Sequence, residues 1–141
     1  MDSRSPAQVY ALVFGAVLVI GGIVGFFYDA SFDIGESATA DEAVGLLAVN
    51  GWHNVVHLLS GLIGLALAGS YGGARAYALV LGVVYSALAA IGFLLVDTPG
   101  FLLDFVPLNT EDNVFHLLIG IAGLGAGLAT DAEPGPTAAV T

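Results

Sequence analysis

From Ala7 to Tyr28 the chain runs without a single charged residue, and three more apolar stretches follow it. The second covers Trp52 to Ala68, and its helix is expected to begin earlier, near Asp41. The third covers Ala76 to Val96. The fourth starts after Pro107 and Asn109 and ends near Thr130. A bilayer crossing needs about 20 residues at a rise of about 1.5 Å each. These runs meet that requirement, and no water-filled exterior could be made from them. Charged residues are 10% of the chain, and only Arg4 and Arg75 are basic. A soluble domain carries about 25% charged residues. Disorder is excluded by the hydrophobicity. Nucleic-acid binding needs clustered Lys and Arg, and is excluded by their scarcity. The absence of cysteine removes disulfides and thiolate chemistry.

Helices satisfy every backbone group inside lipid. A transmembrane barrel would alternate apolar and polar residues, and these runs do not. The expected fold is therefore all-α: an integral membrane four-helix bundle with spans near 7–28, 43–69, 75–96 and 110–130, and a loose polar tail over 131–141. The first run exceeds a signal-peptide core of about 7–15 residues, so it reads as a retained helix. Asn109 or Thr110 is placed to cap the fourth helix, with Glu111 and Asp112 at the positive end of its dipole. Arg4 and Arg75 fall on the same side of a four-span chain, which puts both termini in the cytoplasm of a multi-pass cell-membrane protein. Asp29, Asp33, Glu36, Asp41, Glu42, Asp97, Asp104, Glu111 and Asp112 gather on the other side. Trp52 and Tyr28 read as interfacial anchors there, and Tyr71 and Tyr77 as anchors on the cytoplasmic side.

The chain also repeats itself. Asn54-Val-Val-His57-Leu-Leu-Ser-Gly61-Leu-Ile-Gly64-Leu65 returns as Asn113-Val-Phe-His116-Leu-Leu-Ile-Gly120-Ile-Ala-Gly123-Leu124. Tyr10-Ala-Leu-Val-Phe-Gly15 is echoed by Tyr77-Ala-Leu-Val-Leu-Gly82. This predicts two tandem helical hairpins made by internal duplication, with a pseudo-twofold along the membrane normal. Small residues at the spacing of helix contacts occur in every span. Gly21, Gly25, Gly61, Gly64, Gly120, Gly123 and Gly127 are the expected packing positions.

Several segments resemble a known family. Leu46-Leu-Ala-Val-Asn50 followed by His53-Asn-Val-Val-His57 is similar to its second-helix signature. Gly73-Ala-Arg75-Ala-Tyr77 resembles its central loop, and Phe105-Val-Pro-Leu-Asn109-Thr-Glu-Asp-Asn113 with His116 resembles the start of its fourth helix. The family is domain of unknown function DUF4383, small prokaryotic four-helix membrane proteins. The resemblance covers roughly residues 6–130 and implies the fold and the membrane location; it carries no activity, substrate or cofactor. The chain departs from it in being strongly acidic and free of lysine, a composition that suits a high-salt habitat.

Histidines are the only ionisable groups placed within the spans. Asn50, His53, Asn54 and His57 share one face of the second helix with Gly61 and Gly64. Asn113 and His116 share one face of the fourth with Gly120, Gly123 and Gly127. The imidazoles should therefore point into the bundle. His116 lies about 9 Å into its helix, which puts the group in the outer third of the membrane. Three readings are open. One is a hydrogen-bonded polar cluster of Asn50, Asn54 and Asn113 with the histidines, which only fixes helix packing in a structural or partner-binding protein. Another is a Zn or Cu site on His53, His57 and His116, completed by Asp29 or Asp97. The last is a b-type haem between His57 and His116. Nothing in the sequence argues for an enzyme: no nucleophile stands beside a base, and no phosphate loop is present. The bilayer is the one partner implied, with a homo-oligomer or a further membrane partner left open.

Overall fold

The computed structural model describes residues 4–131. The expected tail over 131–141 lies outside the described residues, Asp131 excepted. Four helices dominate: α1 (Pro6–Gly25), α2 (Gly51–Leu67), α3 (Tyr71–Leu95) and α4 (Thr110–Leu128). The all-α expectation needs one amendment. Two antiparallel hairpins, β1 (Asp41–Ala43) with β2 (Leu47–Val49) and β3 (Gly100–Leu102) with β4 (Val106–Leu108), stand between α1 and α2 and between α3 and α4. The order helix, hairpin, helix thus occurs twice.

The hairpins correct the second span. Its helix begins at Gly51, not near residue 43, because Val44 (φ 51°) and Gly45 (φ 65°) turn the chain back on itself. Two consecutive left-handed residues make the tight turn whose twist suits paired strands. Leu103 (φ 54°) and Asp104 (φ 64°) do the same in the second hairpin. After each hairpin an asparagine in extended conformation starts the next helix. Asn50 accepts from His53 N, and Asn109 accepts from Asp112 N. At the chain's start Ser5 and Gln8 form a reciprocal capping box with Pro6 in the first turn.

Helices pack in two antiparallel pairs, α1 with α2 and α3 with α4. Along α1 the contacts rise from Gly15 through Gly22 to Gly25 while those on α2 fall from Gly61 to Asn54. The second pair matches it: Gly82 meets Leu124, Ser86 meets Gly120, and Gly92 meets Asn113. The approach is backbone to backbone. A methyl group on Gly61 would sit 2.5 Å from the Gly15 carbonyl oxygen, and one on Gly22 would sit 2.7 Å from that of Asn54. Gly64 lies under the Tyr77 ring, Gly123 against Ala78, and Gly127 against Leu79. Gly21 differs from the expectation. A methyl group there would come no closer to α2 than 3.9 Å, at His57 Nδ1, and Gly22 is the contact residue.

Two tyrosines tie the pairs together. Tyr10 on α1 donates to the Ile119 carbonyl on α4 (3.0 Å), and Tyr77 on α3 donates to the Ser60 carbonyl on α2 (3.1 Å). Both rings are buried, with alanines, Leu18, Leu81 and Tyr85 around them. Tyr77 is therefore a core residue, not the interfacial anchor its position suggested. Both hairpins lie at the end where α1 and α3 finish, and the exposed acids of the intervening loops lie there too. Arg75 lies at the other end, donating to the Thr130 carbonyl (2.8 Å). α1 and α3 are long and apolar enough to cross a membrane; α2 is a shorter apolar helix.

Candidate metal centre

The site forms where the helix starts meet the hairpins. Residues three and four apart share a helix face, so His53 and His57 stand one above the other on α2. Their Nε2 atoms are 3.0 Å apart. His116 arrives from α4 about two turns below its Asn109 cap. One ring nitrogen from each of the three lies within 4.8 Å of the others. The ring centroids are 4.3 Å apart for His53 and His57, 6.1 Å for His53 and His116, and 6.4 Å for His57 and His116. His53 and His116 are buried, and His57 is partly so.

A small cavity of about 30 Å³ lies among the three rings, closed by Tyr85 of α3 and by Leu102, Val106 and Leu108 of the second hairpin. A volume of that order holds one water-sized occupant. His57 and His116 also border a second space of about 100 Å³, shared with Asp112, Leu47 and Phe115. A tetrahedral ion with Zn–N distances of about 2.0–2.1 Å needs nitrogens about 3.3 Å apart. The His53–His57 pair is close to this at 3.0 Å, and the His116 nitrogen lies within 4.8 Å of both.

The hydrogen bonds fix one tautomer outright. His53 Nδ1 is 2.7 Å from the carbonyl oxygen of Ala48. A carbonyl has no proton to give, so Nδ1 carries the hydrogen and Nε2 presents a lone pair to the cavity. Such a bond from the far ring nitrogen is the usual companion of a metal-bound imidazole. His116 Nδ1, by contrast, is a buried nitrogen with no partner among the described residues.

The asparagines are placed differently from the expected cluster. Among the described residues none is hydrogen-bonded to an imidazole. Asn50 caps α2 and sends its amide to the Phe105 carbonyl at 2.7 Å. Asn54 rests against Gly25 and donates to the Asp29 carbonyl at 2.8 Å. Asn113, fully buried, rests against Gly92 with both amide atoms unpartnered. Asp29 and Asp97 are not members of the imidazole group. Asp29 instead closes a local turn, its Oδ1 accepting from Ser31 N (2.6 Å).

The acid that does reach the site is Asp112, which sequence reasoning placed in the outer acidic loop. It is buried, and its Oδ2 accepts from Ala48 N and Asn109 N, each at 3.0 Å. A signal for it was present: Asp112 occupies in the second repeat the place His53 holds in the first. Tyr85 and Ala48 had no such signal.

Fold and site together define a class: a four-helix chain with two helices apolar enough to span a membrane and a largely buried three-imidazole group beneath two β-hairpins. The family model for the domain of unknown function DUF4383 matches residues 8–129, and the chain belongs to that family. No curated protein and no solved structure matches the chain.

Proposed function

We propose that the protein is a multi-pass membrane protein, built from a duplicated helical hairpin, that binds one transition-metal ion on His53, His57 and His116. Membrane embedding is supported by an inverted distribution of side chains. Val9, Val13, Val17, Ile20, Leu59, Ile63, Val80, Leu94, Leu118 and Ile121 are exposed, while the interior holds Tyr, Ala, Asn and His. A soluble surface does not carry apolar stripes on all its helices. Duplication is supported by matching bonds across the halves, Tyr10 to α4 against Tyr77 to α2, and Asn50 to Phe105 against Asn109 to Leu46.

The metal reading rests on one observation: three imidazole nitrogens converge within 4.8 Å of one another. Imidazole ligands without thiolate suit Zn²⁺ or Cu²⁺. Three protein nitrogens leave a tetrahedral ion one open position, as at sites that bind water or a small ligand. A porphyrin is not accommodated, since the space among the rings is about 30 Å³ and ligand pockets for organic molecules start at about 300 Å³.

One distance favours a second reading. The 3.0 Å between His53 and His57 is also that of a direct hydrogen bond, with His57 donating, which makes the group a structural register pin. Metal titration of the purified full-length protein separates the two. Stoichiometric Zn²⁺ or Cu²⁺ binding, lost in His57→Ala and His116→Ala, supports the centre. Protein that stays metal-free after supplementation refutes it and leaves the register pin.

A further inference from the structure

Resting on that metal reading, we infer that Asp112 is a positioning residue of the site, acting on His53 through the backbone of Ala48. The argument starts from a break in symmetry. His53 and Asp112 are both the third residue of their helices, each with its own N–H bonded to the preceding asparagine cap. Two equal halves would direct these side chains to two equivalent strands. Here both converge on Ala48 of β2: His53 Nδ1 bonds its carbonyl (2.7 Å) and Asp112 Oδ2 accepts its N–H (3.0 Å).

The matching residue of β4 is Pro107. It pairs with Phe101 as Ala48 pairs with Glu42. Proline has no N–H to offer, so only β2 can be gripped in this way. That strand is three residues long, too short for its ladder alone to hold a carbonyl against an imidazole. Asp112 holds it, and the second bond to Asn109 N fixes the carboxyl group to α4. The result is a fixed chain from α4 to β2 to His53. It keeps the hydrogen on Nδ1 and turns Nε2 toward His57 and the cavity. Outer-shell partners of metal-bound histidines typically contribute 10–100-fold in affinity.

The test uses the purified full-length protein, with Zn²⁺ titrated against a chromophoric chelator and the ¹⁵N NMR signature of His53 recorded without metal. Asp112→Ala removes the carboxyl but also its bond to Asn109 N, the reciprocal half of the capping box. Ala48→Pro is the complementary variant, since it leaves the carboxyl in place, deletes the N–H, keeps the carbonyl, and places proline where the other hairpin already has one. Both variants should lose 10–100-fold in Zn²⁺ affinity, and His53 should pass from one Nδ1–H tautomer to a mixture. Asp112→Asn, which keeps an acceptor oxygen, should fall between. Wild-type affinity in Asp112→Ala and Ala48→Pro with an unchanged tautomer overturns the assignment. If the wild type binds no Zn²⁺, the metal reading fails and this inference about the site falls with it, whereas a binding wild type with indifferent variants sinks this inference alone.

Discussion

Val44 and Leu103 occupy positions that L-residues with bulky side chains avoid. Both lie in the left-handed region, with φ of 51° and 54°, where a side chain crowds its own backbone at a cost of about 1–2 kcal/mol. Asparagine tolerates the region because its short polar side chain bonds locally. Val44 is exposed, at 67%, so nothing in the packing depends on it. Val44→Asn should stabilise the protein by about 1 kcal/mol and raise the unfolding midpoint by a few degrees, read by thermal unfolding in detergent. An unchanged or lower midpoint contradicts the turn geometry. The same residues explain why the hairpins were illegible in the sequence. Val-Gly and Leu-Asp do not carry the Asn-Gly signature of a tight hairpin, and strands of three residues leave no alternation to read. Asp112 was misread for a related reason: an acid in a first helical turn is already accounted for by the helix dipole, so its burial left no trace in composition.

Asn50 and Asn109 join local structure to the assembly of the two halves. Each caps a helix through Oδ1 and holds the other hairpin's turn through Nδ2, Asn50 on Phe105 (2.7 Å) and Asn109 on Leu46 (2.8 Å). Substitution separates the two roles. Asn50→Ser keeps a neutral capping oxygen and loses the amide donor, and should cost about 1 kcal/mol; Asn50→Ala loses both and should cost about 2 kcal/mol. The check is reversible unfolding in mixed detergent, with equal losses in the two variants ruling out the strut. Asn50→Ser and Asn109→Ser combined should lose less than their sum, because they serve one joint. At this scale the sequence was most informative. The apolar runs located all four helices, and the recurring Asn, His and Gly positions put His53, His57 and His116 on inward faces. What the runs could not resolve was a rotation of one residue: Gly21 and Gly22 are adjacent, and only the close approach of Asn54 and Leu58 identifies Gly22 as the contact.

At the scale of the whole molecule, the proposed membrane embedding carries a direction that can be tested. The hairpins and the acids of the loops they belong to share one end, and the turn joining α2 to α3, with Arg75, lies at the other. Arginine in short loops favours the cytoplasm. The chain has no cysteine, so single introduced thiols report topology without background. Glu36 is exposed at the hairpin end, and Gly69 is exposed with open space around it at the other. In intact cells a membrane-impermeant maleimide should label Glu36→Cys and leave Gly69→Cys unlabelled until the cells are opened. The reverse pattern would invert the molecule, and equal labelling would remove it from the membrane.

The same architecture predicts what an ion does to stability. The close packing runs within each helix pair, α1 with α2 and α3 with α4, and α2 and α4 hardly touch. An ion held by His53 and His57 on one side and His116 on the other would link precisely these two helices, beside the asparagine struts. Ligand that binds only the folded state stabilises it by about 2.7 kcal/mol at a hundredfold excess over its dissociation constant. Zn²⁺ should therefore raise the unfolding midpoint of the wild type by several degrees. His116→Ala leaves both α2 imidazoles in place but cuts the link, so its midpoint should rise little. A metal-dependent shift of equal size in this variant would mean that the ion sits on α2 alone and bridges nothing.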